Sequence, residues 1–131
     1  MNNNAKKWVE ALRSGEFTQA HKSLHPTDDG YCCLGVACEL YRRETGDGEW
    51  VTTDKRLGWL FQADNTSIDY FMHPTVQKWI GLREPLGAAP EMPGGSLTAL
   101  NDSCGYDFME IADVIEKHEA DLFVPGRDGE L

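Results

Sequence analysis

Cys32 and Cys33 are the residues of this chain best suited to covalent chemistry, because the apolar run after them, Leu34-Gly35-Val36-Ala37-Cys38, reads as the start of a helix. A thiol at a helix N-terminus is acidified by the helix dipole and becomes a nucleophile. His73 would be the histidine partner of such a thiol-dependent hydrolase, with Gln19 upstream and Asn101 further on. Cysteine is also among the most buried residue types, and packed, inert thiols are the competing and favoured reading.

The order of Gln19, Cys32 or Cys33, His73 and Asn101 is similar to that of papain-like cysteine hydrolases. The flanks depart from that family: Cys-Leu-Gly-Val surrounds the thiol where small polar and aromatic residues belong, and His73 precedes Pro74. His21 and His25 have the four-residue spacing of a helical metal pair with Cys32 and Cys33 beyond. Their segment reads as extended, no Cys-x-x-Cys occurs, and neither Asp28-Asp29 nor Asp102 with Asp107 has calcium-loop spacing, so no obligatory metal and no cofactor are expected. Gly94-Gly95-Ser96 is a minimal anion nest that reads more simply as a turn and cap.

Candidate ligand-binding residues are Cys33, Asn101, Asp102, Trp50 and Trp59. An Asn-Asp pair facing a pocket would read the donors and acceptors of a nucleobase or ribose, while the same pair closing a helical turn would be purely structural. Trp50 and Trp59 fit core positions first and an aromatic ligand pocket second. Glu110 and Asp113 lie opposite the apolar face of a C-terminal helix and are the candidates for contact with a partner protein, against the simpler reading of a solvated face.

These side chains must be positioned by a fold that the apolar periodicity outlines. Asn4 is placed to cap a helix whose apolar positions Ala5, Trp8 and Leu12 recur on one face and which Gly15 ends. Residues 17–33 read as a small hairpin around His25-Pro26-Thr27-Asp28-Asp29-Gly30. Residues 33–44 form the central, most buried helix, with Glu39 and Arg42 on its wet side, Gly46 as its stop, and Gly35 permitting close approach of another backbone. Residues 49–51 and 57–61 read as short strands. His73-Pro74 opens a short helix closed by Gly81, and seven Gly or Pro among residues 81–95 mark a surface loop or a lid. Ser96 caps a short turn, and Asp107-Phe108-Met109-Glu110 has capping-box spacing before Ile111, Ala112 and Ile115.

The result is an α+β chain with a buried central helix, amphipathic N- and C-terminal helices and a small antiparallel sheet. Its 131 residues suit one globular domain over 1–124 followed by a flexible tail, 125–131. Four cysteines without a secretory leader predict reduced thiols in the cytoplasm, and no apolar run approaches the roughly 18 residues of a membrane span. The net charge of −10 is uneven: residues 1–45 hold six Lys/Arg and six Asp/Glu, residues 46–131 six against sixteen. With no basic stripe to displace counterions, direct nucleic-acid binding is not expected, while a basic partner would be drawn to the acidic part.

Four segments, Trp8-Val-Glu-Ala-Leu-Arg-Ser-Gly15, Tyr31-Cys-Cys-Leu-Gly-Val-Ala-Cys-Glu-Leu-Tyr41, Leu97-Thr-Ala-Leu-Asn-Asp102 and Phe108-Met-Glu-Ile-Ala-Asp-Val-Ile-Glu116, span nearly the whole chain. In order and spacing they resemble a family of small proteins of tailed phages and prophages. The resemblance carries a setting and no mechanism: it implies expression in the cytoplasm of an infected bacterium from a gene accessory to virion assembly. Together these readings favour a non-enzymatic protein that binds a host component, either a host or defence protein or a small nucleotide signal held near Cys33, Asn101 and Asp102. The thiol-dependent hydrolase is the alternative, and the oligomeric state is open.

Overall fold

Helix α2, Cys33–Thr45, is the element on which the others converge. Cys33, Leu34, Gly35, Val36, Ala37, Cys38, Glu39 and Tyr41 are all buried along it. A computed structural model describes residues 1–125 of the chain. Around α2 lie α1 (Asn3–Arg13), β1 (Thr18–Gln19), β2 (Gly30–Tyr31), β3 (Glu49–Val51), β4 (Leu60–Ala63), β5 (Thr66–Ile68), α3 (Pro74–Ile80), α4 (Leu97–Asp102), α5 (Phe108–Lys117) and α6 (Glu119–Leu122). The architecture is α+β, and one core cluster draws on α1, α2, α5 and the inner face of β4. No described helix is long and apolar enough to cross a membrane. Of the expected tail, residues 126–131 lie outside the described residues.

Local chemistry explains why α2 starts and stops where it does. The Cys32 sulfur accepts a hydrogen bond from the Gly35 amide at 3.4 Å, an N-cap made by a thiol. Gly46 ends the helix in the left-handed region, φ +75°, returning its N–H to the Arg42 carbonyl. Gly35 has the role its position suggests: a Cβ there would run into the Leu24 carbonyl, so the backbones touch.

Several expected details shift. α1 is capped by Asn2, whose Oδ1 accepts from Ala5 N at 2.8 Å, while Asn4 reaches across to donate to the Trp79 carbonyl. The hairpin over 17–33 is replaced by a parallel pair, Thr18 opposite Gly30 and Gln19 opposite Tyr31. The bend is present, but Leu24 is fully buried, its N–H bonded to Asp69 O and its carbonyl accepting from Cys32 N. Anchoring Leu24 in the core makes the segment loop through the interior rather than fold back on itself. Glu39, expected in water, is 4 % exposed. It stays buried because Arg42 and Arg43 fold over it at 2.7–2.8 Å and Trp50 Nε1 donates to it at 3.0 Å.

The antiparallel sheet has the order β3-β4-β5, with Trp50 opposite Phe61. The second strand begins later than expected, because Lys55–Leu57 winds into a 3-10 turn and Trp59 bridges to His25 instead. Asp64 and Asn65, both at positive φ, make the two-residue connection to β5, a strand the sequence reading did not separate. α3 carries Pro74 at its first turn and stops at Gly81, φ +77°. Residues 81–95 form not a plain surface connection but a loop that sends Leu82, Ala89 and Met92 into the core and is held by Glu84 Oε1, which accepts from the amides of Leu86 and Ala88 at 2.7 and 2.9 Å. The capping box of Asp107 and Glu110 opens α5, and Phe108, Ile111, Ala112 and Ile115 face the core as expected.

Candidate functional site

The α2 N-terminus brings together the residues that carry most of the candidate chemistry, and burial decides what they do. Cys32 and Cys33 are 5 % and 0 % exposed. Burial pushes the Cys32 thiol up to about 12 despite the opposing amides of Gly35 and Leu34, and it raises Cys33 well above the ordinary thiol range. Desolvation therefore outweighs the helix dipole that a reactive thiol would need. Cys33 contacts Leu97 O through its sulfur at 3.7 Å, and its carbonyl accepts from Trp8 Nε1 at 2.9 Å.

His73 sits elsewhere. It is 1 % exposed, its Nδ1 accepts from the Thr75 amide at 3.1 Å, and its Nε2 lies 2.9 Å from Thr66 O. A ring nitrogen that accepts from an amide carries no proton, so Nε2 is the donor and neither nitrogen is left to act as a base. Among the described residues no hydrogen bond joins His73 to Cys32 or Cys33. Of the papain-like order the fold assembles Gln19, Cys33 and Asn101, but as a structural clamp.

Asn101 is the centre of that clamp. Its Oδ1 accepts from Cys33 N at 3.2 Å and from Gln19 Nε2 at 2.9 Å. Its Nδ2 donates to Ala20 O at 2.9 Å and to Asp102 Oδ1 at 2.8 Å. Four bonds exhaust an amide side chain, and they tie β1, α2 and α4 together. Asp102, one residue on, turns outward. Its Oδ1 also accepts from Lys22 N at 2.9 Å, while Oδ2 takes no hydrogen bond among the described residues.

Asp102 lines a groove of about 340 Å³ with Lys22, Tyr70, Leu86, Thr98 and Ser103. Lys22 is exposed, makes no ion pair among the described residues, and adopts φ +83°, a left-handed conformation unusual for a lysine. Tyr70 leaves 47 % of its surface open. Sequence reasoning singled out Asp102 but neither Lys22 nor Tyr70, which lie 80 and 32 positions away and carry no local signal of a shared surface.

Trp50 and Trp59 do not border this groove. With Tyr31 they surround His25, whose ring is parallel to Tyr31 at 4.2 Å, edge-on to Trp50 at 4.8 Å and stacked with Trp59 at 5.9 Å. His25 Nδ1 lies 2.7 Å from Gly30 O, and His21 remains exposed, so the two imidazoles do not converge. No group of three or more His, Cys, Asp or Glu among the described residues is arranged to hold a metal ion. The Gly94-Gly95-Ser96 turn is occupied internally: Gly95 N donates to Met92 O, and the Ser96 hydroxyl caps Ala99 N. On α5, Glu110 closes its capping box by accepting from Asp107 N at 3.0 Å. Asp113 stands 74 % open to solvent with Arg13 against it at 2.6 Å.

No curated protein and no solved structure matches this sequence. The model of one family, described as a domain of unknown function (DUF8296), matches residues 1–119, and the chain belongs to that family.

Proposed function

We propose that this protein is a small accessory protein of a tailed phage that acts in the bacterial cytoplasm by binding a host component, with no covalent step. The phage setting rests on the four motifs. The binding reading rests on a single contrast: the Cys33 thiol is buried against Leu97 O and the Gln19 and Asn101 amides are consumed in one another, whereas the groove beside them presents the Lys22 ammonium, Asp102 Oδ2 and the Ser103 hydroxyl, which take no hydrogen bond among the described residues. Between the two kinds of host component, a small polar molecule in this groove is better supported than a host or defence protein on α5. Glu110 is held by its own helix start, and Asp113 shares Arg13 with Glu116.

Native mass spectrometry of the protein taken gently from phage-infected cells tests this. The expected result is a small adduct that is released on denaturation and is missing from Tyr70→Ala. Rapid iodoacetamide labelling of Cys32 or Cys33 in the folded protein at neutral pH, or an adduct that survives denaturation, would overturn it in favour of a thiol hydrolase.

A further inference from the structure

Lys22 poses a conformational question. Only glycine, and to a lesser degree asparagine or aspartate, adopts φ near +80° without penalty, yet a lysine stands there, its amide pinned to Asp102 Oδ1 at 2.9 Å. Nothing internal uses its side chain: the ammonium is exposed and has no carboxylate within ion-pair distance among the described residues. A strained residue whose side chain is exposed and makes no ion pair among the described residues, at the rim of a groove, points to a role outside the fold.

The other lining groups narrow that role. Tyr70, 47 % exposed, offers a ring face that no other ring among the described residues covers. Asp102 Oδ1 accepts from two N–H donors, while Oδ2, which takes no hydrogen bond among the described residues, is left as an acceptor for hydroxyl donors. The Ser103 hydroxyl, on an exposed residue, and the Thr98 side chain complete the wall. A planar ring, vicinal hydroxyls and one anionic group joined within about 340 Å³ describe a nucleoside 5′-monophosphate. A polyphosphate or dinucleotide would extend beyond the single cation onto a surface of net charge −10, where further negative charge is repelled.

We propose, building on the non-catalytic binding reading above, that the Lys22–Tyr70–Asp102 groove binds a nucleoside 5′-monophosphate. Tyr70 stacks on the base, Asp102 Oδ2 accepts from the ribose hydroxyls, and Lys22 Nζ holds the phosphate. Lys22 is therefore a recognition residue kept in a conformation the fold alone would give to glycine.

The test is isothermal titration of the intact protein with adenosine 5′-monophosphate, uridine 5′-monophosphate, adenosine and ribose 5-phosphate. Saturable binding of at least one nucleotide is expected, with adenosine and ribose 5-phosphate each at least tenfold weaker. Lys22→Gly weakens the nucleotide at least tenfold, leaves adenosine unchanged, and melts no lower than the parent because glycine relieves the backbone. Tyr70→Ala weakens nucleotide and adenosine alike. Failure of both nucleotides to bind, or binding indifferent to Lys22→Gly and Tyr70→Ala, overturns this inference. If the adduct from infected cells is still lost in Tyr70→Ala while both nucleotides fail, the ligand class is wrong and the binding function stands. If no adduct exists and a buried thiol labels, the function itself falls.

Discussion

Asn101 and Asp102 are neighbours of nearly the same size and shape at the end of one short helix, and they face two different regions of the molecule. On the inner side Asn101 meets Gln19, Ala20 and Cys33, and every donor and acceptor it owns is matched. On the outer side Asp102 closes a groove where one carboxylate oxygen, a lysine ammonium and a tyrosine face have no partner among the described residues. Residue type does not separate the two regions, since thiols, an amide, an imidazole and a carboxylate are all chemically competent. What separates them is whether the fold has already filled the hydrogen-bonding capacity of each group, because buried polar groups are as a rule satisfied, with Trp59 Nε1 an exception among the described residues, and a satisfied one cannot recognise anything else.

The widest expected difference is kinetic. Iodoacetamide at neutral pH should modify exposed Cys104 first, and buried Cys32, Cys33 and Cys38 at least ~1,000-fold more slowly, through opening of the fold. Mass mapping of the labelled sites checks it, and early labelling at Cys32 or Cys33 would erase the contrast between the two regions. Next in size, Gly35→Ala should destabilise by about 4 kcal/mol or more, since backbone rather than a movable side chain blocks the new methyl. A urea melt that shows under ~1 kcal/mol would mean that Leu24 and α2 can separate.

Asn101→Ala should cost about 3 kcal/mol in the same measurement, because it orphans Cys33 N and Ala20 O at once and leaves Gln19 Nε2 with Tyr106 O alone. A near-neutral result would move Asn101 from the clamp to the groove side of the comparison. The smallest change concerns Glu39. Burial opposes its charge, but hydrogen bonds from Arg42, Trp50 and Arg43 win and hold its carboxyl down at about 2. A carboxyl lowered on folding stabilises fully above its unfolded pKa, near 4.5, and loses that contribution as pH falls toward 2. Glu39→Gln should therefore cost about 2 kcal/mol at pH 7 and flatten the stability profile below about pH 5, read from urea midpoints across pH. An unchanged acid limb would show that the half-exposed arginines contribute little.

Much of the fold is legible in the chain because its signals are local. The capping box at Asp107, Pro74 and Gly81 at the two ends of α3, the Gly46 stop and the apolar faces of α1 and α5 each depend on residues within a few positions of one another. The parallel pairing of β1 with β2 was not legible, because it depends on Leu24 anchored through distant Asp69; the burial of Glu39 was not, because Trp50 covers it only once β3 folds back on α2, although its two arginines lie within one helical turn. The candidate site divides in the same way. Asp102 could be picked out as one of a polar pair closing a helix, whereas Lys22 and Tyr70 are ordinary surface residues until the loops that bear them meet.

By itself, then, the amino-acid sequence determined the longer helices, the stops of α2 and α3, the capping box of α5, the central place of the cysteine segment and membership in its family, since periodicity, capping and motif order are properties of neighbouring residues. Tertiary structure alone decided which polar groups remain available. Cys33 and Asn101 fall silent and Asp102 stays open because hydrogen-bond partners arrive from segments some 70 to 80 residues away, and water is excluded only once those segments pack.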